Sequence, residues 1–197
     1  CPLYLFLLKE RRKRMPLPSG LGNNLNIHIM KKLILICTLM VINVASAQEI
    51  IPTFLEKWSN SKIYLLEVAK AMPEDKYDYK PTEREMTFGQ QLMHIKDNMD
   101  WLSTTYFTNS PKKEKTTDLK LSKAEIIAEL EKSFDNSYQI ISKTSPKTLN
   151  EKVDFFAGPK TKFQILNLMQ DHVTHHRGQI LVYLNLNEIK PPKYVGW

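Results

Sequence analysis

Four stretches of the chain set apolar residues at alternating steps of three and four, the period that turns one face of an α-helix toward a core. The first spans about Ile51 to Met72, with Phe54, Leu55, Trp58, Leu65, Leu66, Ala69 and Met72 on the apolar side; Pro52 suits its first turn and Pro73 ends it. The second, from about Thr87 to Tyr106, carries the cleanest seam: Phe88, Leu92, Ile95, Met99, Leu102 and Tyr106. The third opens at Ser122, where Glu125 three residues on completes a capping-box pattern. It presents Ile127, Leu130, Phe134, Tyr138 and Ile141 before Pro146. The fourth opens on the same pattern at Thr161 and Gln164, runs to about Asn187, and is stopped by Pro191 and Pro192.

Four amphipathic helices without a convincing strand predict an all-α protein, an antiparallel four-helix bundle. The connections from Pro73 to Met86 and over KTSPKTLNEKVDFFAGP are long and leave the up-and-down order of the helices open; VDFF is a candidate for a brief strand. No repeat or low-complexity tract interrupts the pattern.

The N-terminal part has a different character. From Met30 the chain reads MKKLILICTLMVINVASAQ, two lysines, an apolar run from Leu33 to Val44, then Ala45-Ser46-Ala47. That order predicts a secretory signal peptide over 30–47, cleaved after Ala47. The run is short of the ~20 apolar residues that a permanent span needs, so no stable membrane span is expected after cleavage. Residues 1–29 precede a plausible start at Met30 and are expected to be an over-extended reading frame or appended sequence, with no function inferred from CPLYLFLLKERRKR. The bundle domain is expected over 48–197, exported to the periplasm or beyond the cell.

This division changes the charge. The full chain is formally +7, but seven of its 28 Lys and Arg and one of its 21 Asp and Glu lie before residue 48, which leaves 21 against 20. A net charge of +1 carries no basic footprint for nucleic acid, so no nucleic-acid partner is expected. Both cysteines, Cys1 and Cys37, also precede residue 48, leaving neither disulfide nor thiol nucleophile in the predicted domain.

The chemistry concentrates in DHVTHHRGQ, residues 171–179. On the fourth helix the inward face is Ile165, Met169, His172, His176, Ile180 and Tyr183, so two histidines stand where a core ordinarily takes leucine. At i and i+4 they are one turn apart and can reach one ion. His175 points elsewhere, about 100° round the helix. The remaining histidine of the domain, His94, lies beside the seam of the second helix. On spacing alone the plainer alternatives weigh more: helical histidines that simply satisfy their hydrogen bonds, or a partly exposed polar edge. Three imidazoles without cysteine suit Zn, Ni, Fe or Cu and leave positions open for water or for a substrate oxygen or sulfur.

His94 in GQQLMHI, the HxxxHRGQ stretch of His172, His176, Arg177, Gly178 and Gln179, and the closing PPKYVGW together resemble the DinB-like (damage-inducible, YfiT-type) metal-binding proteins, unrelated to the DNA polymerase of similar name. The resemblance covers nearly all of 48–197. It implies a four-helix bundle with a three-histidine divalent metal site, nickel or zinc, in which His94, His172 and His176 are the ligands. His175 occupies the slot before the last ligand and inherits no ligand role. A homodimer is implied as a candidate assembly, although no single exposed stripe demands one.

Other polar residues are weaker candidates. Gln91 and Asn98, about one turn either side of His94, are candidates to hold water or substrate, and Gln179 is a candidate to hydrogen-bond near the metal; with His175, all of them are candidates to back the ligands or to meet substrate. Arg177 is expected to pair with a carboxylate on the surface, and Gly178, costly inside a helix by up to ~1 kcal/mol, is expected to permit close packing. Asp97 and Asp171 are expected on solvated faces, and Tyr194 to Trp197 docked on the bundle.

Three functions remain in play. Characterised relatives are similar to thiol-dependent transferases and isomerases, but such thiols are kept reduced in the cytoplasm, which sits poorly with export. A metal-dependent hydrolase fits export better yet lacks a general-base carboxylate at a diagnostic spacing such as HExxH. The third is a non-catalytic metal-binding or ligand-binding bundle. No catalytic residue is assigned, and the small-molecule substrate is left open.

Overall fold

The computed structural model describes residues 21–108, 110, 116–117 and 120–196; within the first helix, side chains are described at 27, 29–36 and from 50 onward. The chain divides into two compact units, 1–45 and 46–197. In the first unit Met30, Leu33, Ile34, Leu35 and Ile36 are exposed. Among the described residues no helix is long and apolar enough to cross a membrane.

The four predicted helices are present as α1 (Leu21–Ala71), α2 (Phe88–Phe107), α3 (Lys123–Ser142) and α4 (Lys162–Leu186). The expectation that Pro52 opens the first helix is corrected: α1 is already helical at Leu21, and Pro52 lies inside it. The leucine, methionine and alanine residues ahead of it are good helix formers, and the helix continues through Pro52 despite the lost donor and the crowding of the carbonyl four residues back. The other starts follow the caps. Thr161 Oγ1 accepts from Gln164 N at 3.2 Å while Gln164 Oε1 accepts from Thr161 N at 2.8 Å. Ser122 and Glu125 exchange the same pair of bonds. Thr87 and Gln90 form a third box on α2 that the sequence reading passed over.

Contacts between helices settle the order that the long connections left open. Trp58 donates to Ser137 Oγ at 3.1 Å, Lys62 meets Asp135 and Glu131, and Lys123 donates to the carbonyls of Lys70 and Met72. Numbers rise on α1 as they fall on α3, so these two are antiparallel. Ser61 pairs with Gln170 and Tyr64 lies under Arg177, which makes α1 and α4 parallel. His94 meets His172 and Gln91 meets His176, which makes α2 and α4 antiparallel. The bundle therefore runs up, down, down, up, with α2 and α3 parallel: a Cβ added at Gly89 would meet Ile126, and Asp100 meets Ser133.

Two parallel consecutive helices need a crossover, which the chain between α2 and α3 has to make. Asp97 on α2 pins that crossover: its carboxylate accepts from Thr116 N at 2.7 Å, Thr116 Oγ1 at 2.6 Å, Thr117 N at 2.9 Å and Thr117 Oγ1 at 2.7 Å. Lys96, 2% exposed, lies 3.4 Å from Asp97 Oδ1, 3.2 Å from Asp100 Oδ2 and 3.2 Å from Thr116 Oγ1. Asp100 Oδ1 in turn accepts from Ser133 Oγ on α3 at 2.7 Å. The solvated face expected for Asp97 is thus replaced by a buried clamp. Its neighbours explain why: a carboxylate with four donors and a lysine is satisfied without water.

Between α3 and α4 the chain forms a small hairpin, β1 (Lys152–Val153) against β2 (Lys160–Thr161), with Lys152 opposite Thr161. Of VDFF only Val153 is in the strand; Phe155 and Phe156 belong to the turn, which Gly158 closes at φ 88°. The core follows the predicted seams: Phe88, Leu92, Ile95, Met99 and Leu102 of α2 are buried with Trp58, Leu65, Ala69, Leu130, Phe134, Ile165, Met169 and Ile180.

Candidate metal centre

α2 and α4 cross with their histidines facing one another. Antiparallel packing puts His94 level with the i, i+4 pair of α4, and the ligand nitrogens of His94, His172 and His176 all lie within 4.8 Å of one another. Ring centroids are 4.9 Å apart for His94 and His172, 4.6 Å for His94 and His176, and 4.4 Å for His172 and His176. His94 Nε2 and His172 Nε2 are 3.2 Å apart. Two nitrogens at ~2.05 Å from one tetrahedral ion would be separated by about 3.3 Å, so this pair already has the spacing of shared coordination. The donor set fits a borderline-soft divalent ion. Among the described residues no carboxylate or cysteine joins the group, so three protein ligands are available.

The surroundings keep the nitrogens available. Burial pushes the His172 imidazole down to about 3, helped by the nearby charges that His176, His94 and His175 would carry. Burial likewise pushes His176 down to about 4, and only its bond with Gln179 works the other way. Both rings are therefore neutral at pH 7, with lone pairs to offer. His176 Nδ1 lies 2.7 Å from Gln91 Oε1 and 3.0 Å from Gln179 Oε1. Two amide oxygens on Nδ1 require that nitrogen to carry the proton, which leaves Nε2 unprotonated. Gln91 is itself oriented: its Nε2 donates to the Tyr183 hydroxyl at 3.4 Å, and Tyr183 donates to the Met86 carbonyl at 2.9 Å. His172 Nδ1, by contrast, is buried without a hydrogen-bond partner among the described residues.

Gln91 and Gln179 thus back a histidine ligand, one of the two roles their positions suggested. Gln179 reaches His176 from one turn along α4 and Gln91 reaches it across from α2, which the sequence position alone could not distinguish from a surface amide. Tyr183 is the residue the sequence reading missed. It was placed on the inward face as packing, and its only signal was a hydroxyl that burial obliges to find a partner. Asn98 lies a turn beyond His94 with Oδ1 buried and unpartnered among the described residues. His175 is exposed; its ring meets His176 edge-on at 4.9 Å and its Nε2 lies 3.3 Å from Gln179 Nε2.

Two expectations about neighbours are corrected. Arg177 is 8% exposed, with its guanidinium 4.9 Å from the centre of the Tyr64 ring and no ion pair among the described residues, because α4 turns it toward α1 rather than to solvent. A Cβ added at Gly178 would meet nothing within 4 Å, so close packing does not account for that glycine, and nothing else in the structure explains it. Asp171 is exposed as expected. In the tail, Tyr194 meets Tyr64 edge-on at 6.0 Å yet is 72% exposed, and Val195 packs partly on the core. Trp197 lies outside the described residues, as do residues 1–20.

A family model described as the DinB family matches residues 42–194. The chain belongs to the DinB family. Among solved structures, a DinB-like protein from Bacillus subtilis is 17% identical with a TM-score of 0.61, covering 72% of this chain and 96% of that one. A DinB-like protein from Bacillus cereus is 20% identical, also at TM-score 0.61, covering 72% of this chain and 95% of its own. At such identities the likeness speaks for the DinB fold alone. A search of curated proteins finds no match.

Proposed function

We propose that this DinB-family protein is an exported metalloprotein that binds one divalent ion, nickel or zinc, through His94, His172 and His176, and uses it on a small-molecule substrate. The observation that carries the reading is the set of three converging imidazoles, two of them neutral by burial, one with its tautomer held by Gln91 and Gln179. When bound, such an ion supplies Lewis acidity toward an oxygen or sulfur at its open positions. The chain's own residues would hold the ion, and Gln91 and Gln179 fix the His176 ring. His94 and His172 are only half-buried, which leaves an approach from solvent.

Between hydrolysis and thiol transfer, the run MKKLILICTLMVINVASAQ favours hydrolysis, since it argues for export away from reduced low-molecular-weight thiols. A non-catalytic bundle is the second reading, favoured by the lack of a carboxylate beside the histidines among the described residues. The deciding experiment is the elemental content of the purified protein by mass spectrometry, beside the His172→Ala, His176→Ala double variant checked for helicity by circular dichroism. Roughly one nickel or zinc per chain, lost in a folded double variant, is the expected result. No retained ion after incubation with either metal would sink it. The N-terminus of the secreted protein, read by intact mass, tests export, with Gln48 expected as the first residue.

A further inference from the structure

The face of α2 that carries His94 continues beyond it. Asn98, Trp101 and Thr105 follow at steps of four, three and four, and all are half-buried, as are Leu168 and His172 on the facing edge of α4. Since α2 and α4 are antiparallel and His94 meets His172, Asn98 comes level with Leu168, and Trp101 stands about 10 Å along α2 from His94. There the hairpin adds its aromatic rings. Trp101 stacks on Phe155 at 6.1 Å and 21° and on Phe156 at 6.3 Å and 28°, and Phe155 and Phe156 are 4.3 Å apart. Phe156 remains 84% exposed. Along this stripe Asn98 Oδ1 and Thr105 Oγ1 are buried without hydrogen-bond partners among the described residues.

A structural seam would fill such positions with aliphatic side chains, as the adjoining face of the same helix does with Leu92, Ile95, Met99 and Leu102. Here instead half-buried polar groups, two of them lacking partners among the described residues, lead from the histidines to a cluster of aromatic rings with one ring open to solvent. We propose that this α2–α4 face binds a small molecule of arylalkyl type, whose polar head reaches the histidine cluster and whose planar aromatic group stacks on Trp101 and Phe156. The inference rests on the metal-binding reading above and deepens it by naming the substrate class. Asn98, half-buried between His94 and Trp101, lies along the path of the linker of such a ligand. The length of the stripe suits a spacer of a few methylenes between head and ring.

The test uses the full chain loaded with zinc and three metal-chelating probes, acetohydroxamate, hexanohydroxamate and phenylbutanohydroxamate, titrated by calorimetry. The aromatic probe is expected to bind about tenfold more tightly than the aliphatic one of similar reach. Phe156→Ala, a change at an exposed side chain that leaves folding intact, should erase that gain while leaving acetohydroxamate binding as it was. If acetohydroxamate binds but the aromatic probe gains nothing, or if the gain survives Phe156→Ala, the aromatic subsite is overturned and the metal reading stands. If the protein retains no metal and binds none of the probes, the metal reading fails and this inference falls with it.

Discussion

Two polar clusters sit on α2 within one turn of each other and behave in opposite ways. His94 and Lys96 are two residues apart and about 200° apart round the helix, so one faces α4 and the other faces the crossover and α3. The Lys96 cluster is saturated: Lys96 reaches Asp97, Asp100 and Thr116, Asp97 takes four donors, and Asp100 takes Ser133. The histidine cluster is not, since His172 Nδ1 has no partner among the described residues and its rings would repel one another if protonated. Both lie in the same bundle, the first closed off from solvent and the second half-buried. A polar group whose bonds close among protein atoms is holding the chain in place, whereas one whose lone pairs converge on a common point is waiting for something the chain does not supply.

The largest expected effect is on the saturated side. Lys96→Ala should lower unfolding stability in urea by about 3–5 kcal/mol, because it leaves Asp100 and Asp97 buried without their cation. A loss under about 1 kcal/mol would show that the cluster is not a clamp. Metal content per folded molecule should be unchanged by it. On the other side, Gln91→Leu should weaken metal binding about 10- to 100-fold with a far smaller change in stability, read by competition against a chelating dye. Unchanged affinity would remove the amide from any part in orienting His176.

The two clusters should also fail in different pH windows. His172 and His176 are held near 3 and near 4 in the folded protein against 6.5 for the free side chain. In that interval the unfolded chain binds protons that the folded one refuses, so the metal-free protein should lose stability as pH falls from about 6.5 toward 4. For Asp97 burial works to raise the carboxyl, but the Thr116 and Thr117 donors outweigh it and hold it below its usual 3.8, so its contribution should be lost only below that value. Thermal midpoints of the metal-free protein across this range check both, and a flat profile between 6.5 and 4 would contradict the neutral, buried state of the rings. The smallest effect is expected from His172→Leu, which should flatten part of that slope and keep metal-free stability at neutral pH within about 1 kcal/mol of the parent, since it replaces an unpartnered imidazole by an apolar side chain. A much larger loss would mean that the His172 ring already holds the metal-free bundle together.

Much of this protein was legible along the chain because the signals are local. The 3.6-residue period located all four helices, and Ser122 with Glu125 and Thr161 with Gln164 marked the starts of α3 and α4, since a cap involves residues only three apart. The i, i+4 spacing of His172 and His176 was local in the same sense. What the sequence could not decide is which distant residues meet. Whether His94 joins that pair depends on α2 running antiparallel to α4, and the up, down, down, up order follows from contacts such as Trp58 with Ser137 and Ser61 with Gln170. Arg177 and Asp97 were expected on the surface for the same reason: a charged residue on a helix looks solvated until the tertiary structure brings Tyr64 over the one and Thr116 and Thr117 onto the other. Helix period, caps and ligand spacing are properties of neighbouring residues and belong to the sequence. Helix order, the closure of the Lys96 cluster and the convergence of three imidazoles are properties of packing, because each depends on groups that only the folded chain brings within a few ångströms.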